Sequence, residues 1–262
     1  MSSPMQHETI GNGDPLVLVP GGLTGWLSWI PHAEALASSH KVTRVQLHNV
    51  ALGLAGETLP SDYSVDYEVE ALSMTVDELD ISQADFAGWS LGAEVVLSYA
   101  IRNPMRVRSL TLIEPPATWV LRTRGMLSDE VVAEQKVQQA FAVESLSEDQ
   151  LIDFLEYAGL APPGVDLRTL PEWPTWAEHR QSLRIGDSPF THAESIERVR
   201  RFDKPVLLVK GDGPNVSNHA VIDILAEEFS NVRVVSYPGG HAPHIVSMQA
   251  FMEAFTQLLS EA

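Results

Sequence analysis

Short runs of apolar residues alternate with amphipathic segments along most of the chain. Residues 16–19 and 206–209 are apolar at every position, which is typical of strands buried on both faces of a parallel sheet. Residues 65–79 carry apolar side chains at helical spacing behind Ser64, a residue type that caps helix N-termini. This alternation predicts an α/β fold, a mostly parallel sheet with helices on both faces.

The same patterns place the other elements. Further strands are predicted at 42–47, 84–87, 107–113 and 232–235, with a short edge strand at 4–10. Further helices are predicted at 26–38, 93–100, 219–229 and 244–259, and a glycine- and leucine-rich loop at 49–62. In a sheet of this kind, ligands bind outside the carboxyl ends of the strands.

The alternation breaks between residues 117 and 199. Helical periodicity occurs there at 129–141 and 148–157, and a proline-rich stretch follows. An insertion of this length after a strand is expected to cover the carboxyl edge of the sheet as a helical cap. We therefore predict a core of residues 1–116 and 200–262 and a cap of residues 117–199.

Composition narrows the class of partner. The 262 residues include 17 Lys and Arg against 35 Asp and Glu, a net charge of −18, which argues against nucleic acid and anionic membranes. The absence of cysteine excludes a thiolate nucleophile, a disulfide and a cysteine metal site. Residues 1–9 do not resemble a leader and no long apolar run occurs, so we expect a cytoplasmic protein without a membrane span. The sequence leaves a homodimer open.

A candidate nucleophile is Ser90, in Gly88-Trp89-Ser90-Leu91-Gly92. This G-x-S-x-G motif joins a predicted strand to a predicted helix, as a nucleophile elbow does. The glycines let the helix fold back on the strand without collisions, and the strained turn exposes the serine hydroxyl. A chance serine in a glycine-rich turn is the alternative. A glycine pair upstream and a histidine motif downstream favour catalysis.

Two main-chain N–H groups are candidates for an oxyanion hole. The N–H of Leu91 begins the helix after Ser90 and is directed at the group that Ser90 attacks. Gly22 follows the strand at 16–19 in Pro20-Gly21-Gly22, where the missing side chains expose the main chain. An ordinary glycine turn is the alternative for Gly22. The elbow downstream favours the oxyanion function.

The candidate base is His241, in Gly239-Gly240-His241 after the last predicted strand. A serine needs a base within hydrogen-bond reach, and a histidine on a glycine-flanked loop can turn towards it. His244 is the rival and is expected at the start of the following helix, lining the site.

The acid that orients the base has two candidates. Glu114 ends the strand at 107–113 and enters Pro115-Pro116, a rigid turn that would hold its carboxylate still. Asp212 follows the strand at 206–209 and is the rival acid. We favour Glu114, because burying an unpaired carboxylate at a strand end is costly. All candidates fall just past strand ends: Gly22, Ser90, Glu114, Asp212 and His241.

These motifs resemble the α/β-hydrolase fold superfamily over essentially the whole chain. The resemblance implies a triad in the chain order serine, acid, histidine. A narrower likeness is to the fungal zearalenone lactonases, in which the triad acid is a glutamate on the strand directly after the nucleophile helix, the place of Glu114. Residues 174–177 look like their substrate-contacting tryptophan segment, and residues 238–243 look like their histidine loop.

The resemblance implies a cofactor-independent, metal-free serine hydrolase acting on a small molecule, a bulky apolar ester or a lactone such as a zearalenone-type macrolactone. The expected substrate contacts are Trp176, Leu23, Trp89, Trp119 and His244, and the other apolar candidates are Trp173, Met126, Leu127 and Phe190. An acidic substrate stays open through Arg122, Arg124, Arg180 and Arg184. Two other functions also stay open: a C–C bond hydrolase, lyase or perhydrolase on the same triad, or a non-catalytic small-molecule binder.

Overall fold

The computed structural model describes residues 2–142, 146–161, 164–213 and 215–261. Within these ranges seven strands form one sheet in the order β1-β3-β2-β4-β5-β6-β7. The strands are β1 (Gln6–Ile10), β2 (Asp14–Val19), β3 (His40–Gln46), β4 (Ala84–Trp89), β5 (Val107–Ile113), β6 (Val206–Gly211) and β7 (Val232–Tyr237). Strand β1 pairs antiparallel with β3 at one edge, and the other neighbours pair parallel. The predicted α/β fold and the edge strand are confirmed.

The helices of the described ranges connect and cover these strands. They are α1 (Ile30–Leu36), α2 (His48–Ala55), α3 (Val65–Glu78), α4 (Leu91–Arg102), α5 (Trp119–Thr123), α6 (Asp129–Ala142), α7 (Glu148–Tyr157), α8 (Trp173–His179), α9 (Ser188–Thr191), α10 (Ile196–Arg201), α11 (Val216–Glu228), α12 (Pro243–Val246) and α13 (Met248–Glu261). Ser64 caps α3 as predicted, because its side chain accepts the N–H of Tyr67.

The apolar core lies on both faces of the sheet. Along β2, Val17 and Val19 pack into one cluster with α3, α4 and α11, whereas Leu16 and Leu18 pack into a second cluster with α1 and α13. Strand β4 is buried at all six positions. Two-sided burial explains why these strands appear in the sequence as continuous apolar runs.

Three local predictions are wrong. The expected loop at 49–62 contains helix α2, the expected helix at 26–38 begins as a 3-10 turn at Gly25–Trp29, and the expected helix at 244–259 is divided into α12 and α13. The division falls at Ser247, whose hydroxyl bonds the carbonyl of Pro238.

Helix α2 is fixed by packing that the sequence pattern does not reveal. Gly53 lies so close to the main chain of Ser182 that a Cβ there would be 2.8 Å from the Ser182 Cα atom. Asn49 Nδ2 donates to the carbonyls of both Gly22 and Ser182, at 2.8 and 2.7 Å. Helix α2 therefore joins the loop after β2 to the segment between β5 and β6.

The segment between β5 and β6 carries α5 to α10, including the two helices predicted at 129–141 and 148–157. Leu23, from the loop after β2, packs into an apolar cluster with Leu151, Leu155 and Leu183 of this segment. Trp119, in contrast, packs in the main core. The boundary of the cap at residue 117 stays a prediction. In the part of the chain that the structure describes, no helix has both the length and the apolar character to span a membrane.

Candidate active site

The turn that carries Ser90 is strained in the way the motif predicts. Ser90 has φ +54° and ψ −126° between β4 and α4, a conformation costly for a non-glycine residue. A Cβ at Gly88 would lie 2.7 Å from the Cα atom of Ala93, and one at Gly92 would lie 2.6 Å from the carbonyl oxygen of Val19. Both glycines are therefore required for close approach, the second one against the end of β2.

The side chains of Ser90 and His241 meet above the sheet. The distance from Ser90 Oγ to His241 Nε2 is 2.8 Å, and the imidazole is mostly buried. The loop of His241 is held from two sides, since its N–H donates to the carbonyl of Ala158 at 3.0 Å and its carbonyl accepts the indole N–H of Trp89 at 2.6 Å. The base candidate is therefore positioned through its main chain as well as its ring.

Glu114 lies behind His241. The distance from Glu114 Oε2 to His241 Nδ1 is 3.5 Å, and Oε1 accepts the N–H of Gly211 at 2.7 Å. The residue is buried and has φ +48°, a second strained non-glycine turn at a strand end. Burial would raise the pKa of Glu114, but bonds from His241, Gly211 and Asn218 outweigh burial and lower it. Glu114 is therefore ionised at neutral pH.

Asp212 occupies a different place. Its Oδ1 accepts the main-chain N–H groups of Gly239 and Gly240, each at 2.9 Å. The bond from Gly240 and then that from Gly239 lower the pKa of Asp212. Of the two acid candidates, the structure brings Glu114 to the imidazole and Asp212 to the main chain of the histidine loop.

Gly22 and Leu91 lie side by side at Ser90. Leu91 is the first residue of α4, so its N–H has no acceptor within the helix. A Cβ at Gly22 would lie 3.5 Å from Leu91 Cδ2, and both residues line the cavity that contains Ser90. The carbonyl of Gly22 is fixed by Asn49. This arrangement suits two main-chain donors directed at one oxyanion.

A cavity of about 430 Å³ opens beside Ser90 and His241. Three of the expected substrate contacts, Leu23, Trp89 and Trp176, line it, as does Phe190. The remaining apolar wall comes from the loops after strands and from the segment between β5 and β6, and includes Phe154, Leu160, Leu170, Leu183, Ile185, Ile245 and Val246. Its size and apolar lining are typical of a small-molecule site.

Two expected substrate contacts do not line this cavity. Trp119 is 1% exposed and packs in the main core. His244 is fully buried under the loop, with ring centroids 4.8 Å from Trp89 and 4.9 Å from Trp29. Burial lowers the pKa of His244 well below its usual value. Neither residue lines the cavity, contrary to the expectation from the sequence.

Charge around the cavity is sparse. Among the described residues that line it, Glu172 is the one carboxylate and no lysine or arginine occurs. The guanidinium of Arg122 donates hydrogen bonds to the carbonyls of Phe190 and His192. The other arginines considered for an acidic substrate bond elsewhere: Arg124 to Glu227, Arg180 to Leu146, and Arg184 to Gln181 and Glu57. The described part of the lining therefore offers no lysine or arginine to pair with an anionic substrate group.

Two residues at the site were missed by sequence reasoning. Asn218, near the start of α11, contacts both Glu114 and His241, and Asn49 holds Gly22. The signal for Asn218 was available, because polar residues cluster in the first turn of a helix that follows a strand end. Asn49 had no such signal.

One cluster of ligand-type side chains lies away from the cavity. Carboxylate and imidazole atoms of Asp66, His192 and Glu194 lie within 4.8 Å of one another. The guanidinium of Arg102 already pairs with Asp66 and Glu194, and Ser98 Oγ bonds His192 at 2.9 Å. A guanidinium already neutralises both carboxylates, so we interpret the cluster as an ion-pair network.

Comparison with known proteins agrees with this geometry. Residues 14–247 match the alpha/beta hydrolase fold family, and the chain belongs to that family. It is 25% identical over 265 residues to a pimeloyl-(acyl-carrier protein) methyl ester esterase of Nitrosomonas europaea, covering 96% of this chain and 98% of the relative. It is 36% identical over 112 residues to a 2-hydroxymuconate semialdehyde hydrolase of a Pseudomonas species, covering 41% and 38%.

The fold has close counterparts among solved structures. The crystal structure of a hydrolase from Pseudomonas aeruginosa superposes with a TM-score of 0.78 at 20% identity, over 97% of this chain and 93% of that one. At this identity the likeness shows the fold alone. Together with relatives named as an esterase and a hydrolase, the family match makes the protein an α/β-hydrolase enzyme.

Proposed function

We propose that the protein is a serine hydrolase that cleaves a carboxylic ester or lactone through an acyl-enzyme on Ser90. The observation that carries this proposal is the 2.8 Å contact between Ser90 Oγ and His241 Nε2 beside an apolar cavity. A hydroxyl bonded to an imidazole, whose other nitrogen faces a buried carboxylate, is the arrangement that activates serine. The esterase relative that spans the whole chain supports the same chemistry.

The first half of the reaction acylates the enzyme. Ser90 Oγ attacks the carbonyl carbon while His241 Nε2 takes the hydroxyl proton, and Glu114 stabilises the imidazolium through Nδ1. The tetrahedral oxyanion accepts the N–H groups of Gly22 and Leu91, each worth about 3 kcal/mol. When the intermediate collapses, the C–O bond breaks and the leaving alcohol takes the proton from Nε2.

The second half releases the acid. A water molecule attacks the acyl-enzyme carbonyl, His241 takes one of its protons, and the Ser90 ester bond breaks with return of that proton to Oγ. With a lactone, the alcohol and the acid belong to one molecule, so the alcohol end stays in the cavity until deacylation. No step in this scheme calls for a metal or an organic cofactor.

The cavity supports a neutral, bulky and apolar substrate. Leu23 and Trp176 bring apolar walls from the loop after β2 and from α8, so the segment between β5 and β6 acts as a cap in this proposal. A volume of about 430 Å³ lies in the range that holds drug-sized molecules. The more particular substrate, a zearalenone-type macrolactone, rests on the sequence resemblance and is compatible with this volume and lining.

A C–C bond hydrolase is the second candidate, and the semialdehyde hydrolase relative favours it. The substrate in that relative's name is a carboxylate, which would need a cation. Among the described residues that line this cavity there is none, and the one charged carboxyl, Glu172, would repel it. The lining therefore supports a neutral ester or lactone over an anionic substrate of that kind. A non-catalytic binder has no use for a bonded serine and histidine.

Turnover of a substrate panel by wild-type protein and Ser90→Ala tests the proposal. The panel contains p-nitrophenyl esters of increasing acyl length, a macrocyclic lactone, a carboxylated ester and a 1,5-diketone. We expect the apolar esters and the lactone to be hydrolysed, and Ser90→Ala to abolish both activities. Hydrolysis of the diketone alone would favour C–C cleavage, and binding without turnover would favour a binder.

A further inference from the structure

Asn218 lies against the two triad residues on the side opposite to Ser90. Its Nδ2 is 3.3 Å from Glu114 Oε2 and 3.4 Å from His241 Nδ1. Since Glu114 Oε2 is also 3.5 Å from His241 Nδ1, the three atoms form a nearly equilateral triangle. Asn218 is 2% exposed and borders the cavity that contains Ser90.

Two donors converge on one carboxylate oxygen in this triangle. The amide of Asn218 donates to Glu114 Oε2, and an imidazole with its proton on Nδ1 donates to the same oxygen, while the N–H of Gly211 holds Oε1 at 2.7 Å. A carboxylate that accepts several fixed N–H groups stays ionised and cannot rotate. The contact of 3.5 Å to the imidazole is long, so the aim of Oε2 depends on what else holds it.

We infer that Asn218 is a positioning residue of the hydrolase, holding the Glu114 carboxylate in the orientation that accepts the hydrogen bond from His241 Nδ1. This inference rests on the triad of the proposed function and adds a fourth member to it. Asn218 touches neither Ser90 Oγ nor the scissile bond in this scheme. Its effect reaches the reaction through Glu114 and His241.

The triangle predicts that the acid can be moved from position 114 to position 218. In the double variant Glu114→Gln with Asn218→Asp, the amide and the carboxylate exchange places. The oxygen of the introduced glutamine would still accept the Gly211 N–H, and its amide would donate to the introduced aspartate. That aspartate would accept a hydrogen bond from His241 Nδ1 across the 3.4 Å now spanned by Asn218. Net charge and the number of hydrogen bonds are unchanged in this exchange.

The test measures how fast Ser90 is labelled by a fluorophosphonate, which forms a phosphorus–oxygen bond to Ser90 and releases fluoride. The rate reports activation of the serine without knowledge of the natural substrate. The variants are Asn218→Ala, Glu114→Gln and the exchanged pair, with Ser90→Ala as blank. Val221→Ala is the matched control, because Val221 is buried on the same helix in the main core. Thermal melts confirm that each variant is folded.

We expect Asn218→Ala to label about 10- to 100-fold more slowly, the cost of a lost bond to a charged group, and Val221→Ala to stay within about twofold. Glu114→Gln is expected to lose about 100-fold or more, and the exchanged pair to regain at least about tenfold of it. If the wild type is labelled but the folded exchanged pair is labelled no faster than Glu114→Gln, the inference about Asn218 is overturned and the proposed function stands. A folded wild type that does not label at Ser90 would overturn the proposed function itself.

Discussion

Asp212 is bonded to the main chain of Gly240, with 2.9 Å between the carboxylate Oδ1 and the main-chain nitrogen. The same oxygen accepts the N–H of Gly239. Glu114, in contrast, reaches the imidazole of His241 itself. The two acids at this edge of the sheet therefore have different tasks. One holds the loop in place, and the other faces the proton that the base carries.

This division predicts different effects of removing the two charges. Glu114→Gln should lower kcat by about two to four orders of magnitude, because an amide cannot stabilise the imidazolium. Asp212→Asn should stay within about tenfold, since its amide oxygen can still accept the two glycine N–H groups. Steady-state kinetics with a p-nitrophenyl ester check both. The reverse ranking would make Asp212 the triad acid.

Replacing each of the two tryptophans that were expected at the substrate should have a different effect, one on substrate binding and the other on stability. Trp176 lines the cavity, so Trp176→Ala should raise KM for long-chain esters severalfold and leave acetyl ester turnover nearly unchanged. Trp119 is buried in the core, so Trp119→Ala should lower the free energy of unfolding by about 3–5 kcal/mol. Kinetics over an acyl-length series and urea unfolding measure the two effects. Equal KM changes in both variants would contradict the placement of Trp119.

The charge of Glu172 should determine how well the cavity accepts an anionic substrate relative to a neutral one. Glu172→Lys is expected to raise kcat/KM for an ester with a distal carboxylate severalfold and to change a neutral ester of the same length little. The effect should shrink at high salt, because Glu172 is exposed. Glu172→Gln, which removes the charge without reversing it, should give a smaller gain. If neither variant changes the ratio of the two substrates, the mouth of the cavity does not select by charge.

His244 makes stability depend on pH. Burial, with the nearby His32 and His241, lowers the pKa of His244 well below its unfolded value of 6.5. The unfolded chain therefore binds a proton that the native state does not, and stability falls as pH drops below about 6.5. Each such group contributes up to about 1.4 kcal/mol per pH unit. His32, stacked on His244, has its pKa lowered by burial as well.

The variant His244→Phe isolates this contribution. A phenyl ring suits a site between Trp29, Trp89 and Phe251, and neither ring nitrogen of His244 has a hydrogen-bond partner among the described residues. Urea unfolding between about pH 7.5 and about pH 5 should show a shallower loss of stability for the variant. Parallel pH dependences for the two proteins would contradict the buried neutral imidazole.

The positions of the strands and of Ser90 were predictable from the sequence because local signals determine them. Two-sided burial makes β2 and β6 continuous apolar runs, and Gly88 is required by contacts within the strand–turn–helix unit that carries Ser90. The preference for Glu114 followed from the rigid turn after β5. These features depend mostly on residues near one another in the chain.

What the sequence did not reveal depends on distant partners. Asn218 meets Glu114 across 104 positions, and helix α2 is held by a bond from Asn49 to Ser182 across 133 positions. Periodicity also does not tell which way a short helix turns its apolar face. Trp119 and His244 were therefore expected in the cavity, although the structure buries both in the core.

The formation of an ester on Ser90 is the central claim, and rapid-quench mass spectrometry of protein mixed with a p-nitrophenyl ester tests it most directly. We predict one acyl adduct per protein, located on Ser90 by peptide mapping and formed in a burst with p-nitrophenol. It should be absent from Ser90→Ala and formed far more slowly in His241→Ala. Two results would contradict the account when folded wild-type protein turns the ester over rapidly. One is an acyl group found on another residue, and the other is a Ser90→Ala variant that is equally active.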